Sequence, residues 1–212
     1  MQVSEIFHSI QGESTYAGLP CTFVRLTGCN LRCTWCDTEY AFYGGEKMTV
    51  DEVMEKVRSF GGRLVEVTGG EPLLQKEVYP LMERLLGEGF QVMLETSGER
   101  PLAEAPREVI KVVDVKCPDS GEGGTFHLPN LDYMAPHDQV KFVIASRRDY
   151  EFARDFTREH HLIRRFAAVI FSPVWDQLQL QQLAAWILSD GLEVRFGYQL
   201  HKLIWGAEAR GV

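Results

Sequence analysis

Three cysteines at C-x3-C-x2-C spacing lie within the stretch Gly28-Cys29-Asn30-Leu31-Arg32-Cys33-Thr34-Trp35-Cys36-Asp37-Thr38, just after an apolar run at residues 21–26. Cysteines this close together on a loop can bring their thiolates to one metal site that prefers sulfur. A closed structural zinc site and an ordinary iron–sulfur cluster each use four ligands. Three cysteines therefore predict either a cluster with one open iron or a site whose fourth ligand comes from elsewhere.

The cysteine spacing alone leaves a zinc site open. Cys21, Cys117 or His201 could supply the fourth zinc ligand. A disulfide framework is disfavoured because the chain has five cysteines, an odd number, and residues 1–5 lack the basic and apolar regions of a secretory signal. We therefore expect a cytoplasmic, reducing setting in which Cys21 and Cys117 are buried or incidental thiols.

Length and composition predict a single domain over residues 1–212. The hydrophobic content of 45% and the charged content of 25% are typical of a soluble globular protein. No apolar run approaches the ~20 residues that span a bilayer, so we expect no membrane insertion. The formal net charge of −8 argues against a surface that binds nucleic acid directly.

Short apolar runs alternate with helical patterns along the chain. We predict strands at residues 5–10, 21–27, 64–67, 90–94, 109–113, 139–144, 167–171 and 193–198. Helices are predicted from a capping box at 49–52 and at 75–87, 148–159 and 177–189, whereas Pro101 and Pro106 make a helix after residue 95 doubtful. The alternation predicts an α/β fold, an open partial βα barrel of about six parallel strands.

Polar and glycine-rich segments follow several of the predicted strands. In a barrel of this type such segments share one rim, where active sites lie. The segments are Thr68-Gly69-Gly70-Glu71-Pro72, Ser97-Gly98, Asp114-Val115-Lys116, Ser172-Pro173 and Gln199-Leu200-His201. Taken singly, each has an ordinary structural explanation, such as a tight turn for the glycine pair or a packed histidine for His201.

The cysteine spacing, the aromatic Trp35 before the third cysteine and the later Gly69-Gly70 pair resemble the radical S-adenosylmethionine (SAM) superfamily. The resemblance implies that Cys29, Cys33 and Cys36 hold a [4Fe–4S] cluster whose open iron binds SAM. It also implies a set of residues that contact SAM, namely Trp35, Cys36, Asp37, Gly69, Gly70, Glu71, Ser97, Asp114, Val115, Lys116, Ser172 and Pro173.

Residues outside the superfamily signature resemble one family within it, the 7-carboxy-7-deazaguanine synthases. They are Ile10-Gln11-Gly12-Glu13, Arg25, Cys36-Asp37-Thr38 and Gln199-x-His201-Lys202. The resemblance implies radical ring contraction of 6-carboxy-5,6,7,8-tetrahydropterin with loss of ammonia, a flavodoxin- or ferredoxin-type reductant and a homodimer. It implies that Thr38 binds Mg²⁺ and that the pterin is held by Ile10, Gln11, Gly12, Glu13, Arg25, Thr68, Gln199 and His201.

Chemistry supports these roles. The N–H donors of a pterin suit the carboxylate of Glu13 and the amide of Gln11, and a substrate carboxylate suits the guanidinium of Arg25. Mg²⁺ commonly takes few protein ligands, so the single hydroxyl of Thr38 is sufficient. Arg25 could instead be a structural ion-pair partner within its strand, and the tail at residues 203–212 could close the site or pack a dimer.

Two other functions compete with this one. A glycyl-radical-enzyme activating protein shares the cysteine spacing and a compact barrel, but it acts on a protein. Such a protein should lack the Gln11-Gly12-Glu13 and Gln199-x-His201 motifs. A non-catalytic zinc or iron–sulfur protein needs only the three cysteines and a fourth ligand.

Overall fold

Nine strands form one continuous sheet in the computed structural model, which describes residues 1–212. The strands are β1 (Gln2–Ile10), β2 (Pro20–Leu26), β3 (Glu46–Lys47), β4 (Leu64–Gly69), β5 (Gln91–Thr96), β6 (Ile110–Asp114), β7 (Gln139–Ile144), β8 (Ala168–Pro173) and β9 (Arg195–Phe196). Their spatial order is β3-β1-β2-β4-β5-β6-β7-β8-β9. Pairing is antiparallel on both sides of β1 and parallel from β2 to β9. Because β3 and β9 are edges, the sheet is an open, partial barrel, as predicted.

Seven helices accompany the sheet. They are α1 (Val50–Ser59), α2 (Val78–Gly87), α3 (Asn130–Tyr133), α4 (Arg147–Glu159), α5 (Leu162–Arg165), α6 (Leu180–Ser189) and α7 (Leu200–Trp205). The capping box before α1 is confirmed: Thr49 Oγ1 accepts from the Glu52 N–H, and the Glu52 carboxylate accepts from the Thr49 N–H at 2.7 Å. No helix forms between β5 and β6, in the segment that contains Pro101 and Pro106. None of the helices combines the length and apolar character needed to cross a membrane.

The strand alternation gives the sheet two different faces. Val65 and Val67 of β4 belong to the main core, together with apolar residues of the long helices such as Val53 and Leu81. The opposite face carries a small apolar floor made of Cys21, Phe23, Leu64, Met93, Ile110 and Val112. Two residues further along several of these strands, the same face carries charged side chains instead. The inner face is therefore apolar at one end and charged at the other.

The last predicted strand is longer in the sequence pattern than in the structure. Residues 193–198 alternate like a strand, but only Arg195–Phe196 pair, as an edge strand with β8 as its one neighbour. The prediction that Gln199 ends a strand is therefore wrong: Gln199 directly precedes α7, and His201 lies in its first turn. The helices predicted at 75–87 and 177–189 begin at Val78 and Leu180, after short turns.

Candidate functional site

A cavity of about 550 Å³ opens where the parallel strands end, a size typical of small-ligand sites. It is lined by most of the residues predicted from the sequence. The predicted cluster, SAM, Mg²⁺ and pterin residues that line it are Ile10, Gln11, Gly12, Glu13, Arg25, Cys29, Cys33, Trp35, Cys36, Asp37, Thr38, Thr68, Gly69, Gly70, Ser97, Asp114, Lys116, Ser172, Pro173, Gln199 and His201. Glu71 and Val115 are absent from the lining.

The three clustered cysteines are half-buried and face the cavity. No three Cys, His, Asp or Glu side chains lie close enough together to hold a single metal ion, whereas sulfurs around one zinc would be only about 3.8 Å apart. A cluster of four irons is larger and suits more widely spaced thiols. Cys21 and Cys117 are buried elsewhere and cannot complete a zinc site without rearrangement. Of the three residues that could complete a zinc site, His201 alone lines the same cavity as the cysteine loop.

The cysteine thiols are neutral when no metal is bound. Burial raises the pKa of Cys33 to about 11, against the opposing effect of Lys116, and it also raises the pKa values of Cys29 and Cys36. Metal ligation requires thiolates, so loading this loop must displace protons. Because three protons leave, loading should be favoured at higher pH.

The Gly69-Gly70 pair holds the cysteine loop against the end of β4. The Gly70 N–H donates to the Leu26 carbonyl at 3.2 Å, and the Glu71 N–H donates to the Gly28 carbonyl at 2.8 Å. A Cβ atom on Gly70 would lie 2.7 Å from the Cβ atom of Cys29 and would also collide with the Gly28 carbonyl. The missing side chain therefore lets the loop approach, a role that the sequence pattern did not reveal.

Replacing Gly70 by alanine should impair loading of the cysteine loop. The clash is with backbone, which cannot move aside cheaply, so we expect a loss of about 1–3 kcal/mol in stability and a lower iron content after reconstitution. Gly87→Ala is the matched control: Gly87 lies at the exposed end of α2 with open space around it, so its iron content should equal that of the parent protein. Equal iron content in both variants would contradict the assigned role.

Glu71 and Val115 are buried beside the cavity. The Glu71 carboxylate accepts from Thr96 Oγ1, from the Ser97 N–H and Oγ at 2.9 and 2.7 Å, and from the Leu73 N–H at 3.0 Å. With its oxygens so occupied, Glu71 fixes the turn that presents Ser97. Val115 lies in the main core at 1% exposure. The geometry gives no support to direct side-chain contact between a ligand and either residue.

Two sequence-distant motifs meet across the cavity. The Leu200 N–H donates to the Gly12 carbonyl at 2.9 Å, and Gln199 Nε2 donates to Glu13 Oε1 at 3.0 Å. A Cβ atom on Gly12 would collide with the His201 ring, so this glycine allows α7 to pack closely. The start of α7 is therefore attached directly to the segment at residues 10–13.

Asp37 connects the cysteine loop to the same helix. Its carboxylate accepts from Gln199 Nε2 at 3.0 Å, from Lys202 Nζ at 2.8 Å and from Thr38 Oγ1 at 3.0 Å. Burial works to raise the pKa of Asp37, but the charge and hydrogen bond of Lys202 and the hydrogen bonds from Gln199 and Thr38 together lower the pKa. Asp37 is thus a charged anchor that sets the position of the Thr38 hydroxyl.

Arg25 both forms an ion pair and lines the cavity. Its Nε donates to Glu5 Oε1 at 2.8 Å, and Tyr40 donates to the same oxygen at 2.7 Å. Neither terminal nitrogen of the Arg25 guanidinium hydrogen bonds to a protein group. Part of the guanidinium is therefore held by the fold, while the rest is available to an anion in the cavity.

Three charged residues of the inner face were not predicted as site residues. Lys141 donates to Glu13 Oε2 at 2.8 Å and also to Glu95, while Glu66 accepts from Gln11 Nε2 at 2.9 Å. Burial opposes the charge on Lys141, but its carboxylate neighbours raise its pKa well above the ordinary value. Burial likewise works to raise the pKa of Glu13, yet Lys141 lowers it overall. A single charge flanked by apolar residues, as in Val65-Glu66-Val67, was the signal available in the sequence.

The polar groups at the ends of β5 and β6 fit a nucleoside-like cofactor. Asp114 Oδ2 accepts from Lys116 Nζ at 2.8 Å, whereas the buried Oδ1 has no partner. An unpaired buried carboxylate oxygen beside a cavity calls for a donor, such as a hydroxyl or an ammonium group. Such an acceptor suits the hydroxyl or ammonium groups of SAM, the cofactor that the resemblance implies.

The C-terminal tail also lines the cavity, at residues 207–212. The Arg210 guanidinium lies 4.3 Å from the centre of the Tyr40 ring. Of the two roles left open by the sequence, this placement favours a tail that covers the site.

Comparison with known proteins agrees with this site. The family model for the radical SAM superfamily matches residues 23–117. A 7-carboxy-7-deazaguanine synthase of Koribacter versatilis is 55% identical, with all of both chains covered. The synthase of Chlorobaculum tepidum is 44% identical, covering all of this chain and 97% of the relative.

Solved structures show the same fold. The crystal structure of QueE from Escherichia coli matches with a TM-score of 0.78 over 94% of both chains, at 23% identity. A radical SAM methyltransferase from Sphaerobacter thermophilus matches with a TM-score of 0.58 over 90% of this chain and 71% of its own. At these identities the structures show the fold alone, and the full-length sequence relatives establish the family. The chain belongs to the 7-carboxy-7-deazaguanine synthase family of the radical SAM superfamily.

Proposed function

We propose that this protein is a radical SAM enzyme that converts 6-carboxy-5,6,7,8-tetrahydropterin to 7-carboxy-7-deazaguanine, with loss of ammonia. The observation that carries the proposal is that the cysteine loop, residues 10–13 and the start of α7 line one cavity. A [4Fe–4S] cluster on Cys29, Cys33 and Cys36, with SAM bound, would supply one-electron reduction and hydrogen-atom abstraction.

SAM would lie at the ends of β4, β5, β6 and β8. Asp114 Oδ1 is free to accept from a donor, while Lys116 Nζ donates to the other carboxylate oxygen. The remaining proposed SAM contacts are Trp35, Cys36, Asp37, Gly69, Gly70, Ser97, Ser172 and Pro173, all of which line the cavity.

The pterin would bind against the charged inner face. Glu13 is held ionised by Lys141, so it can accept the N–H groups of a pterin edge. The terminal nitrogens of Arg25 suit the substrate carboxylate. The remaining proposed contacts are Ile10, Gln11, Gly12, Thr68, Gln199 and His201. Holding the substrate in one orientation favours the intended hydrogen abstraction over side reactions.

Substrate discrimination tests this assignment. With the reconstituted protein and SAM, 6-carboxy-5,6,7,8-tetrahydropterin should bind at least about 10-fold more tightly than tetrahydropterin without the carboxylate, because only the former pairs with Arg25. In Arg25→Gln the two ligands should bind alike. Equal binding of both ligands by the parent protein would contradict the proposed substrate.

Thr38→Ala should weaken the dependence on Mg²⁺ while leaving the cluster in place. Thr38 lines the cavity, its hydroxyl donates to Asp37, and the hydroxyl oxygen is the proposed metal ligand. We expect the Mg²⁺ concentration for half-maximal turnover to rise on the order of 10-fold or more, with iron content unchanged. Thr38→Ser keeps the hydroxyl and is the control. A Mg²⁺ titration that coincides with that of the parent protein would refute this role.

We also propose a flavodoxin- or ferredoxin-type electron donor, a homodimer and a cytoplasmic location. The dimer is supported by the exposed apolar side chains Leu203, Ile204 and Trp205. Light scattering of the purified protein tests it, and a monomeric mass would contradict it.

A further inference from the structure

Five buried or half-buried side chains, joined in a row by hydrogen bonds, lie together at the charged end of the inner face. We call them the polar ring. Gln11 Nε2 donates to Glu66 Oε2 at 2.9 Å, and Gln11 Oε1 accepts from the Glu13 N–H at 2.8 Å. Lys141 Nζ donates to Glu13 Oε2 at 2.8 Å and also to Glu95. Glu66 of β4 and Glu95 of β5 lie on the same face of neighbouring strands, and Glu95 is the charged neighbour with the largest effect on Glu66.

A hydrogen bond between Glu66 and Glu95 would close the ring, and it requires a proton. Two ionised carboxylates are both acceptors and repel each other, so a carboxyl–carboxyl hydrogen bond forms only when one of them is protonated. The polar ring contains three carboxyl groups and one lysine. One bound proton reduces the net negative charge of the ring from −2 to −1. This matters because the ring is shielded from water: Glu66 is 2% and Lys141 is 4% exposed.

Glu66 is the member that best holds this proton. Lys141 contacts Glu13 and Glu95 but not Glu66, whose only other partner is the neutral amide of Gln11. Burial, followed by the charge of Glu95, raises the pKa of Glu66 to about 8. The titratable groups that act on Glu66 from the packed elements are Cys21 of β2, Glu95 of β5 and Glu13 of the loop after β1, and Arg25, Asp114 and Lys141 are the further charged residues of the same inner face.

We propose that Glu66 is a positioning residue that stays protonated, and that its proton, donated to Glu95, closes the polar ring and fixes Gln11 and Glu13 for the ligand. The ligand class, a heterocycle with an N–H-rich edge such as a pterin, rests on the proposed function. Glu66 acts through its neighbours: the neutral carboxyl sets the rotamer of Gln11, and Gln11 in turn holds the backbone of Glu13.

The direction of the pH effect follows from the bound proton. The native state retains this proton between the ordinary pKa of 4.5 and about 8, whereas the unfolded chain loses it near 4.5. The contribution of Glu66 to stability is therefore full below pH 4.5 and is lost as pH rises through about 8. Above that pH the Glu66 and Glu95 carboxylates repel, and the polar ring opens.

The test compares Glu66→Gln with Glu66→Ala. Glutamine reproduces a neutral carboxyl because its oxygen can accept from Gln11 while its NH₂ donates to Glu95. In the reconstituted enzyme, KM for 6-carboxy-5,6,7,8-tetrahydropterin should rise steeply above about pH 8 in the parent protein. In Glu66→Gln it should stay within about 3-fold of the neutral-pH parent value and lack that rise. In Glu66→Ala it should be raised at least about 10-fold at every pH.

An infrared measurement tests the proton without turnover. The cluster-free parent protein should show the C=O stretch of a protonated carboxylic acid that disappears above about pH 8 and is missing in Glu66→Gln. If the parent protein shows this band but its reconstituted form makes no product, the proposed function is refuted while the protonation of Glu66 is supported. Product formation with the same alkaline rise of KM in Glu66→Gln as in the parent, or no acid band, would overturn the role of Glu66.

Discussion

Cys33→Ala is expected to lose its iron and sulfide after anaerobic reconstitution and to form no detectable product. The remaining cysteines of the loop cannot hold a cluster alone, and the other two cysteines of the chain, Cys21 and Cys117, are buried and do not line the cavity. Iron and sulfide analysis and the visible absorption spectrum measure the loss directly. The same result is expected for Cys29→Ala and Cys36→Ala.

Cys117→Ala is the matched control for the cysteine loop. Cys117 is 1% exposed in the main core and does not line the cavity. Its replacement should cost about 1 kcal/mol of stability, the transfer energy of a small buried group, and keep the full iron content. Loss of the cluster in Cys117→Ala, with retention in Cys33→Ala, would reverse the ligand assignment.

Lys141→Met is expected to destabilise the protein and to abolish tight binding of the pterin. Lys141 is the buried cation between Glu13 and Glu95, and without it two half-buried carboxylates are uncompensated. Removing one partner of a buried ion pair typically costs about 3–5 kcal/mol. Denaturant unfolding measures the stability loss, and equilibrium binding of 6-carboxy-5,6,7,8-tetrahydropterin measures the functional loss.

Lys111→Met separates the loss of stability from the loss of pterin binding. Lys111 is also fully buried, with its Nζ 3.6 Å from Asp138 Oδ2, but it does not line the cavity. Its replacement should destabilise the protein by a similar amount and leave pterin affinity unchanged. If both lysine variants bind the pterin like the parent protein, Lys141 has no part in the binding site.

The sequence was sufficient for the architecture because the sheet follows from local patterns. The capping box at Thr49 and the period-two strands are properties of neighbouring residues, and they predicted α1 and the parallel strands closely. The end of the chain was less predictable. Residues 193–198 have the alternation of a strand, but an edge position with one neighbour supports only two paired residues, and the chain turns into α7 instead.

Within the site, the sequence revealed residues that belong to contiguous motifs. Glu66, Glu95 and Lys141 belong to none, because each is a single charge in a different strand. Their association depends on strand register, which aligns inward-facing positions of separate strands. The function of Gly70 was hidden for a similar reason, since the atoms that it must avoid belong to Gly28 and Cys29 on another segment.

The most direct test of the proposed function is product analysis by mass spectrometry. The anaerobically reconstituted protein is incubated with 6-carboxy-5,6,7,8-tetrahydropterin, SAM, Mg²⁺ and a one-electron reductant, with Cys33→Ala as the blank. We predict 7-carboxy-7-deazaguanine and ammonia in equal amounts, over many turnovers, from the parent protein alone. An iron-loaded parent protein that cleaves SAM but leaves the pterin unchanged would contradict the proposed function.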